Sequence, residues 1–516
     1  METVCIRHTD LPGTSRLFAD FTYHFDKVAK FYAHDPHNTD SLKAAAKEVD
    51  YPGDRRAAVV RALRAQNGES ESLKRLAQPG TVAVVTGQQV GLFGGPAYTI
   101  YKALTAARLA EALKAHGIPA VPIFWLASED HDFPEVSHAY TFDAAQRSVR
   151  LHVEAAHSGS QPVGGIRLPH PPLDELRQSL KGFPYADGVM DAVEQSYRPG
   201  ATMTEGFRAL LQTLLPRMGL IMLDPLDPTI RAIWAPKMAE ALTAAPELKA
   251  RLLERNRELA AAGYHAQVLV EPKTSLFFLL ENGERVPQRL KDSELASLCD
   301  RAEDASPNAL LRPVLQDYLL PTVAYVGGPG ELAYFAQSSV IYDRLLGRMP
   351  VVLARSGFTL LDSRAHKSLD RYNLSLTDVL VPEESLKDRL AQALVPADLE
   401  RSLVDAGGEV DRCLTHLTDE LQRFDPTLAA ALQKSRAKML YQVEKMRRKT
   451  GREILRRDAR AGVDAQHLIG LLYPHKHLQE RYYSILPFLA KHGLDVVDRI
   501  YDAVELSCPD HRVLTV

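Results

Sequence analysis

The spacing of apolar residues along this chain changes several times, and each change predicts a different kind of element. Over the first 80 residues the spacing is helical: RLFADFTYHFDKVAKFYAH carries one apolar face, and RRAAVVRALRAQNG ends on an Asn-Gly stop. At 81–86 the run TVAVVT is continuously apolar and β-branched, as a parallel strand covered on both faces would be. A glycine-rich loop follows. Helical spacing then runs over 97–116 and ends at Gly117, and a second apolar run, AVPIFWLA, fills 120–127. Strand, helix and strand in that order make a βαβ crossover.

The pattern recurs further on. PTVAYV (321–326) reads as a strand, GGPGE (327–331) as a loop, LAYFAQSSVIYDRLLG as a helix and PVVLA (350–354) as a strand; GLIMLDP, up to Asp224, is a further strand candidate. These units predict an α/β fold, a Rossmann-like core with a mostly parallel sheet. Two stretches are expected as insertions on it, about 148–200 and 264–300. The first begins with short strands over 148–170; the second holds a hairpin over 264–288 that turns at Glu-Asn-Gly-Glu.

After residue 381 the pattern changes again. Val410, Leu414, Leu417, Leu421 and Phe424 fall at alternating spacings of four and three, Pro426 interrupts, and Leu428, Leu432, Met439, Val443 and Met446 carry on among charged residues. That is the stripe of an antiparallel helical hairpin or short coiled coil. The expected organisation is therefore a core over 1–380, a helical coiled-coil domain over 381–460, and a segment over 461–516 that returns to the core.

Composition adjusts this picture in four places. A length of 516 residues suits more than one domain. A net charge of −3 gives no global basic field for nucleic acid or an anionic membrane. No apolar stretch approaches the ~18 residues of a spanning helix, and METVCIRHTD has no apolar signal core, so a cytoplasmic protein is expected. The four cysteines, Cys5, Cys299, Cys413 and Cys508, form no C-x-x-C pair, which argues against a disulfide framework or a zinc knuckle.

Candidate chemistry falls at the carboxyl ends of the predicted strands, where open parallel sheets bind ligands. In TGQQVGLFGGPAYTIYK, Gly87, Gly91, Gly94 and Gly95 lie between a strand and a helix, with Gln88 and Gln89 among them and Lys102 inside the helix. The stretch is neither G-x-G-x-x-G nor a P-loop. It serves either as a tight turn or as bare backbone for an anion, and two adjacent amides favour ligand contact. In FWLASEDHDFPEVSH, Trp125, Glu129, Asp130, His131, Asp132, Glu135 and His138 crowd one strand end. Asp130, His131 and Asp132 are the candidates for proton transfer; the spacing matches no zinc signature, so no metal is expected. In RPVLQDYLLPTVAYVGGPGE, Arg312, Gln316 and Asp317 precede a strand, and Gly327, Gly328 and Glu331 follow it. Arg355 ends the next strand. The arginines suit carboxylates, and Glu331 also suits a helix N-terminus. His475, Lys476, Gln479, Glu480 and Arg481 form a further polar group in the return segment.

In this order, TGQQVGLFGGPAYTIYK, FWLASEDHDFPEVSH, RPVLQDYLLPTVAYVGGPGE and PHKHLQER resemble the bacillithiol-biosynthesis cysteine-adding enzyme family, BshC, over nearly the whole chain. The resemblance implies a Rossmann-like core with connecting insertions, similar in plan to class I aminoacyl-tRNA synthetases, and a coiled coil that mediates homodimerisation. It implies a ligase that joins L-cysteine to the amine of glucosaminyl malate. The synthetase signatures H-x-G-H and K-M-S-K-S are missing, so ATP is an open choice of cosubstrate rather than an inherited one. Two other classes stay in view: a glycosyltransferase using a nucleotide-sugar, and a non-catalytic dimeric scaffold.

Overall fold

A computed structural model describes residues 3–157, 159–288 and 291–516. Positions 158, 289 and 290 of the two expected insertions, and Met1 and Glu2 at the start, lie outside the described residues. The chain divides into two units: Met1–Leu360 with Glu480–Leu514 and Val516, and Leu361–Gln479 with Thr515.

Five parallel strands form the centre of the first unit. They are β1 (Val82–Gln88), β2 (Ala120–Leu126), β3 (Ile221–Leu223), β4 (Thr322–Gly327) and β5 (Val351–Ala354), in the spatial order β5-β4-β1-β2-β3. β1 runs in register with β2 from Val82↔Ala120 to Gln88↔Leu126, and meets β4 through Val84↔Ala324 and Val85↔Tyr325. This order reverses direction between β1 and β4. A doubly wound sheet opens a crevice at that point, beyond the strands' carboxyl ends.

Burial on both faces explains the continuous apolar runs. Ala83 and Val85 pack into one core with Val121, Ile123 and Trp125; Val82 and Val84 pack into another with Ala324 and Val326. Helix α1 (Tyr98–Ala115) supplies Ala106, Leu109 and Leu113 to the second core. Helices α2 (Pro228–Thr243) and α3 (Pro329–Leu345) supply Trp234, Met238, Leu332 and Phe335 to the first. Trp125 and Trp234 are fully buried and stacked, with ring centroids 6.3 Å apart.

The expected insertions take a more local form. Ser148–His152 pairs with His138–Phe142, but among the described residues up to 170 no further strand forms, only an isolated bridge between Arg167 and Thr202; Val163–Gly165 is a single 3-10 turn. In the second insertion the hairpin is confined to Phe277–Glu281 and Glu284–Pro287, turning at Asn282-Gly283 with both residues at positive φ. Ala305–Pro307 adds a third strand. At the ends of the unit, Thr3–Ile6 pairs antiparallel with His511–Thr515. That brings Cys5 Sγ to 3.7 Å from Cys508 Sγ, both free thiols.

The second unit is helical. Its longest elements are Ala397–Phe424 and Pro426–Arg457, joined at Asp425, whose carboxylate accepts the Thr427 N–H at 2.7 Å. Ion pairs cross between them: Arg436 Nε to Asp411 at 2.7 Å and Arg447 Nε to Glu400 at 2.7 Å. Gly451 lets a third helix, Glu383–Ala393, approach closely: a Cβ there would meet the Ala391 carbonyl at 3.0 Å.

Candidate active site

A cavity of about 620 Å³ opens at the reversal between β1 and β4, within the usual size of small-molecule sites. Three segments far apart in sequence line it: Gly87, Gln88 and Gln89 after β1; Glu129, Asp130 and His131 after β2; and Arg312, Gly328 and Glu331 around β4. Lys102, Trp125 and Arg355 also face it.

Lys102 ties the first segment to the third. Its ammonium is buried in α1, donates to the Gly87 carbonyl at 2.9 Å and to Gln88 Oε1 at 2.8 Å, and forms an ion pair with Glu331. Glu331 in turn accepts the Gly328 N–H at 2.7 Å and the Tyr325 hydroxyl at 2.6 Å. Burial opposes its charge, but Lys102 and these donors outweigh burial and hold its carboxyl below the ordinary range. The N-terminus of α3 therefore already carries an anion, supplied by the chain itself.

Arg312 begins the helix Arg312–Leu319 and is half-buried at the cavity wall. It donates to Gln316 Oε1 at 2.9 Å and to the Tyr334 hydroxyl at 3.0 Å, and its guanidinium stands 5.7 Å from the Trp125 ring centre. Burial opposes its charge, but Tyr334 and Tyr325 outweigh burial and hold it above its ordinary value. The Trp125 indole N–H has no partner among the described residues. Arg355 is clamped by Glu480, with Nη1–Oε2 at 2.8 Å and Nη2–Oε1 at 2.5 Å. Burial opposes ionisation of Glu480, yet Arg355 pulls it down to about 2. Arg481 reaches the cavity as an exposed cation, 5.7 Å from the Tyr98 ring centre.

After β2 the acids are sorted by their partners. Glu129 is buried against Arg231, 2.5 Å away. Asp130 accepts the His131 N–H on Oδ1 at 2.7 Å and the Gln89 amide on Oδ2 at 2.7 Å. Gln89 thus orients Asp130, and also Glu135 at 2.9 Å, with the amide that the sequence reading assigns to a ligand. Arg285, from the hairpin of the second insertion, reaches His131 Nδ1 at 3.2 Å.

Several expected site residues lie elsewhere. Gly91, Gly94 and Gly95 build the turn after β1 and do not line the cavity. Gly94 and Gly95 have φ of 85° and 67°, and the Tyr197 hydroxyl donates to the Gly91 carbonyl at 3.2 Å. Their backbone freedom serves the turn rather than a ligand. Gly87 does face the cavity, but a Cβ there would meet the Trp125 carbonyl at 2.9 Å, so contact between strands requires the glycine. Gly327 is similarly crowded by Glu331 and Leu332. Asp132 caps the helix Phe133–Val136, its Oδ1 accepting the Glu135 N–H at 3.2 Å. Asp317 is buried away from the cavity, accepts the Tyr342 hydroxyl at 2.5 Å, and is pushed up by burial. Gln316 also lies outside the cavity and acts on it through Arg312. His475, Lys476 and Gln479 belong to the second unit. Tyr98, Phe278, Arg285 and Asn308 line the cavity without having been singled out; only Tyr98 lies inside a motif that the sequence reading marks.

Comparison with known proteins fixes the family. Residues 1–356 match the family described as "Bacillithiol biosynthesis BshC, N-terminal Rossmann-like domain", and residues 358–516 match "Bacillithiol biosynthesis BshC, C-terminal coiled-coil domain". The chain belongs to the BshC family. Relatives named "Putative cysteine ligase BshC" include one from Solibacter usitatus, 53% identical over 525 residues and covering 100% of both chains. Another, from Koribacter versatilis, is 38% identical over 99% of both chains. A third, from Salinibacter ruber, is 31% identical over 97% of this chain and 96% of its own. The residues that line the cavity lie in the part that matches the Rossmann-like domain of BshC, except Arg481, which lies in the part that matches the coiled-coil domain.

Proposed function

We propose that this protein is a carbon–nitrogen ligase of bacillithiol biosynthesis that joins the carboxyl of L-cysteine to the amine of glucosaminyl malate in the cavity between β1 and β4. The observation that carries the reading is the convergence of Gln88, Asp130–His131 and Arg312 on one cavity. Membership of BshC and relatives named for cysteine ligation support it. So does the mixture of charges: guanidiniums suit the carboxylates of cysteine and of a malyl group, and carboxylates suit the cysteine ammonium.

An amine does not displace oxide from a free carboxylate, so the cysteine carboxyl must be activated as a phosphate-type anhydride before the C–N bond forms. The residues present do not form a triphosphate cradle. Lys102 and the start of α3 are both occupied by Glu331, and no P-loop sequence is present. ATP therefore enters the proposal as an arm of its test. Mass spectrometry of the protein incubated with cysteine and glucosaminyl malate, with and without ATP, should detect the coupled thiol, one water lighter than the sum of its parts. No coupled product in either arm overturns the ligase reading; product without ATP removes ATP alone.

Two further features belong to the proposal. The protein is cytoplasmic; among the described residues no helix is long and apolar enough to cross a membrane. It pairs with a second copy through its long helices. Those helices leave Val404, Leu417, Phe424, Leu428, Met439 and Met446 exposed, and a two-helix hairpin has too little core to cover such a stripe.

A further inference from the structure

Arg285 comes to the cavity from the strand Glu284–Pro287, where it is 8% exposed. Each of its nitrogens is engaged. Nε donates to Ser306 Oγ at 3.0 Å, Nη2 to the Pro307 carbonyl at 2.7 Å, and Nη1 faces His131 Nδ1 at 3.2 Å. The Phe278 ring centre lies 3.8 Å from the guanidinium carbon. The side chain is thus held from several sides and cannot turn to suit its neighbour.

A guanidinium keeps its protons in proteins and has no lone pair to offer. The contact between Nη1 and Nδ1 therefore requires Nδ1 to be the acceptor. A neutral imidazole carries one proton, so that proton sits on Nε2. Asp130 Oδ1 is the other candidate partner for Nδ1, at 3.7 Å. That oxygen already accepts the His131 backbone N–H at 2.7 Å, and a proton on Nδ1 would point at the arginine's own N–H.

We infer that Arg285 is a positioning residue that holds His131 as its neutral Nε2–H tautomer, so that His131 gives a hydrogen bond during ligation while Asp130 takes the proton. The roles in ligation rest on the function proposed above; the tautomer does not. In the step itself, the sugar amine attacks the activated cysteinyl carbon and the C–N bond forms. The carbonyl π pair moves onto oxygen, where the Nε2–H donates to it. The amine proton passes to the Asp130 carboxylate. When the carbonyl re-forms, the phosphate-type leaving group departs with the bonding pair. In this scheme His131 neither gains nor loses a proton, and of the three proton-transfer candidates Asp130, His131 and Asp132 the transfer falls to Asp130.

The test uses full-length protein labelled with 15N at histidine, with His131 assigned by comparison with His131→Gln. Two-bond proton–nitrogen correlation spectra without substrate should show a bare Nδ1 and a protonated Nε2. Arg285→Gln should blur this into a mixture of tautomers, with Arg285→Lys as a second variant should the first fail to fold. A protonated Nδ1 in the wild-type protein overturns the inference, as does an unchanged pattern in a folded Arg285 variant. Ligation rates give an independent reading. Glutamine places an N–H near Nε2 but cannot take a proton, so His131→Gln should lose about tenfold. A loss of ~10²-fold or more, equal to that of His131→Ala, would mean that His131 transfers the proton after all. If the wild-type protein makes no coupled product, the ligase reading fails and the spectra still decide the tautomer.

Discussion

Gly87 carries two demands at once: it borders the cavity, and its missing side chain lets β1 lie against Trp125. Gly87→Ala should lower stability by about 1–3 kcal/mol, because the new Cβ meets a backbone carbonyl that cannot give way. Chemical denaturation checks this, and a loss within ~0.5 kcal/mol contradicts it. The residue types at the site were legible from sequence, since strand ends crowded with glycine, amides and acids are unusual. Their division of labour was not. Gln89 and Asp130 lie 41 positions apart and Arg285 and His131 lie 154 apart, so neither pairing leaves a local pattern. Asp132 looks equal to Asp130 in the sequence, and only the fold makes one a helix cap and the other a cavity wall.

Among the elements, the strands of the central sheet were the easiest to read. Burial on both faces leaves an unbroken apolar run, and β1, β2 and β4 each have one. The hairpin was legible through Asn282-Gly283, whose positive φ values the turn needs. Among the described residues of 153–170, the strand-like pattern yields only an isolated antiparallel bridge between Arg167 and Thr202, and pairing is a property of the fold rather than of the segment. The strand His511–Thr515 carries a titration that sequence cannot reveal. Burial pushes the His511 imidazole down to about 4 from 6.5. The unfolded chain therefore takes up this proton first as pH falls below 6.5. Stability is lost progressively from there to about 4, by ~3 kcal/mol at 1.36 kcal/mol per unit. Glu480, pulled down to about 2 from 4.5, adds a loss of the same sign below 4.5. His511→Gln, which can keep the bond to Thr359, should flatten the melting temperature across pH 6.5 to 4, whereas an unchanged pH profile would contradict the assignment.

The whole molecule joins a sheet-based unit, whose cavity sits where the strand order reverses, to a helical unit with an exposed apolar stripe. The heptad spacing announced the helical hairpin in the sequence; Val410, Leu414 and Leu421 are half-buried in it, while Leu417, Phe424, Leu428, Met439 and Met446 stay exposed. If the stripe is a self-association surface, light scattering should give twice the chain mass for the native protein. Leu417→Glu combined with Met439→Glu should give the single-chain mass at unchanged helix content; native protein of single-chain mass would contradict the pairing. The central claim concerns the cavity, and a comparison of neighbouring acids tests it most directly. Ligation of cysteine to glucosaminyl malate should be timed by mass spectrometry for Asp130→Asn and Asp132→Asn proteins of matched thermal stability. The account predicts a rate ~10²-fold or more below native for Asp130→Asn and a near-native rate for Asp132→Asn, where asparagine still caps the helix. Equal rates for the two variants, or a larger loss at Asp132, would contradict it.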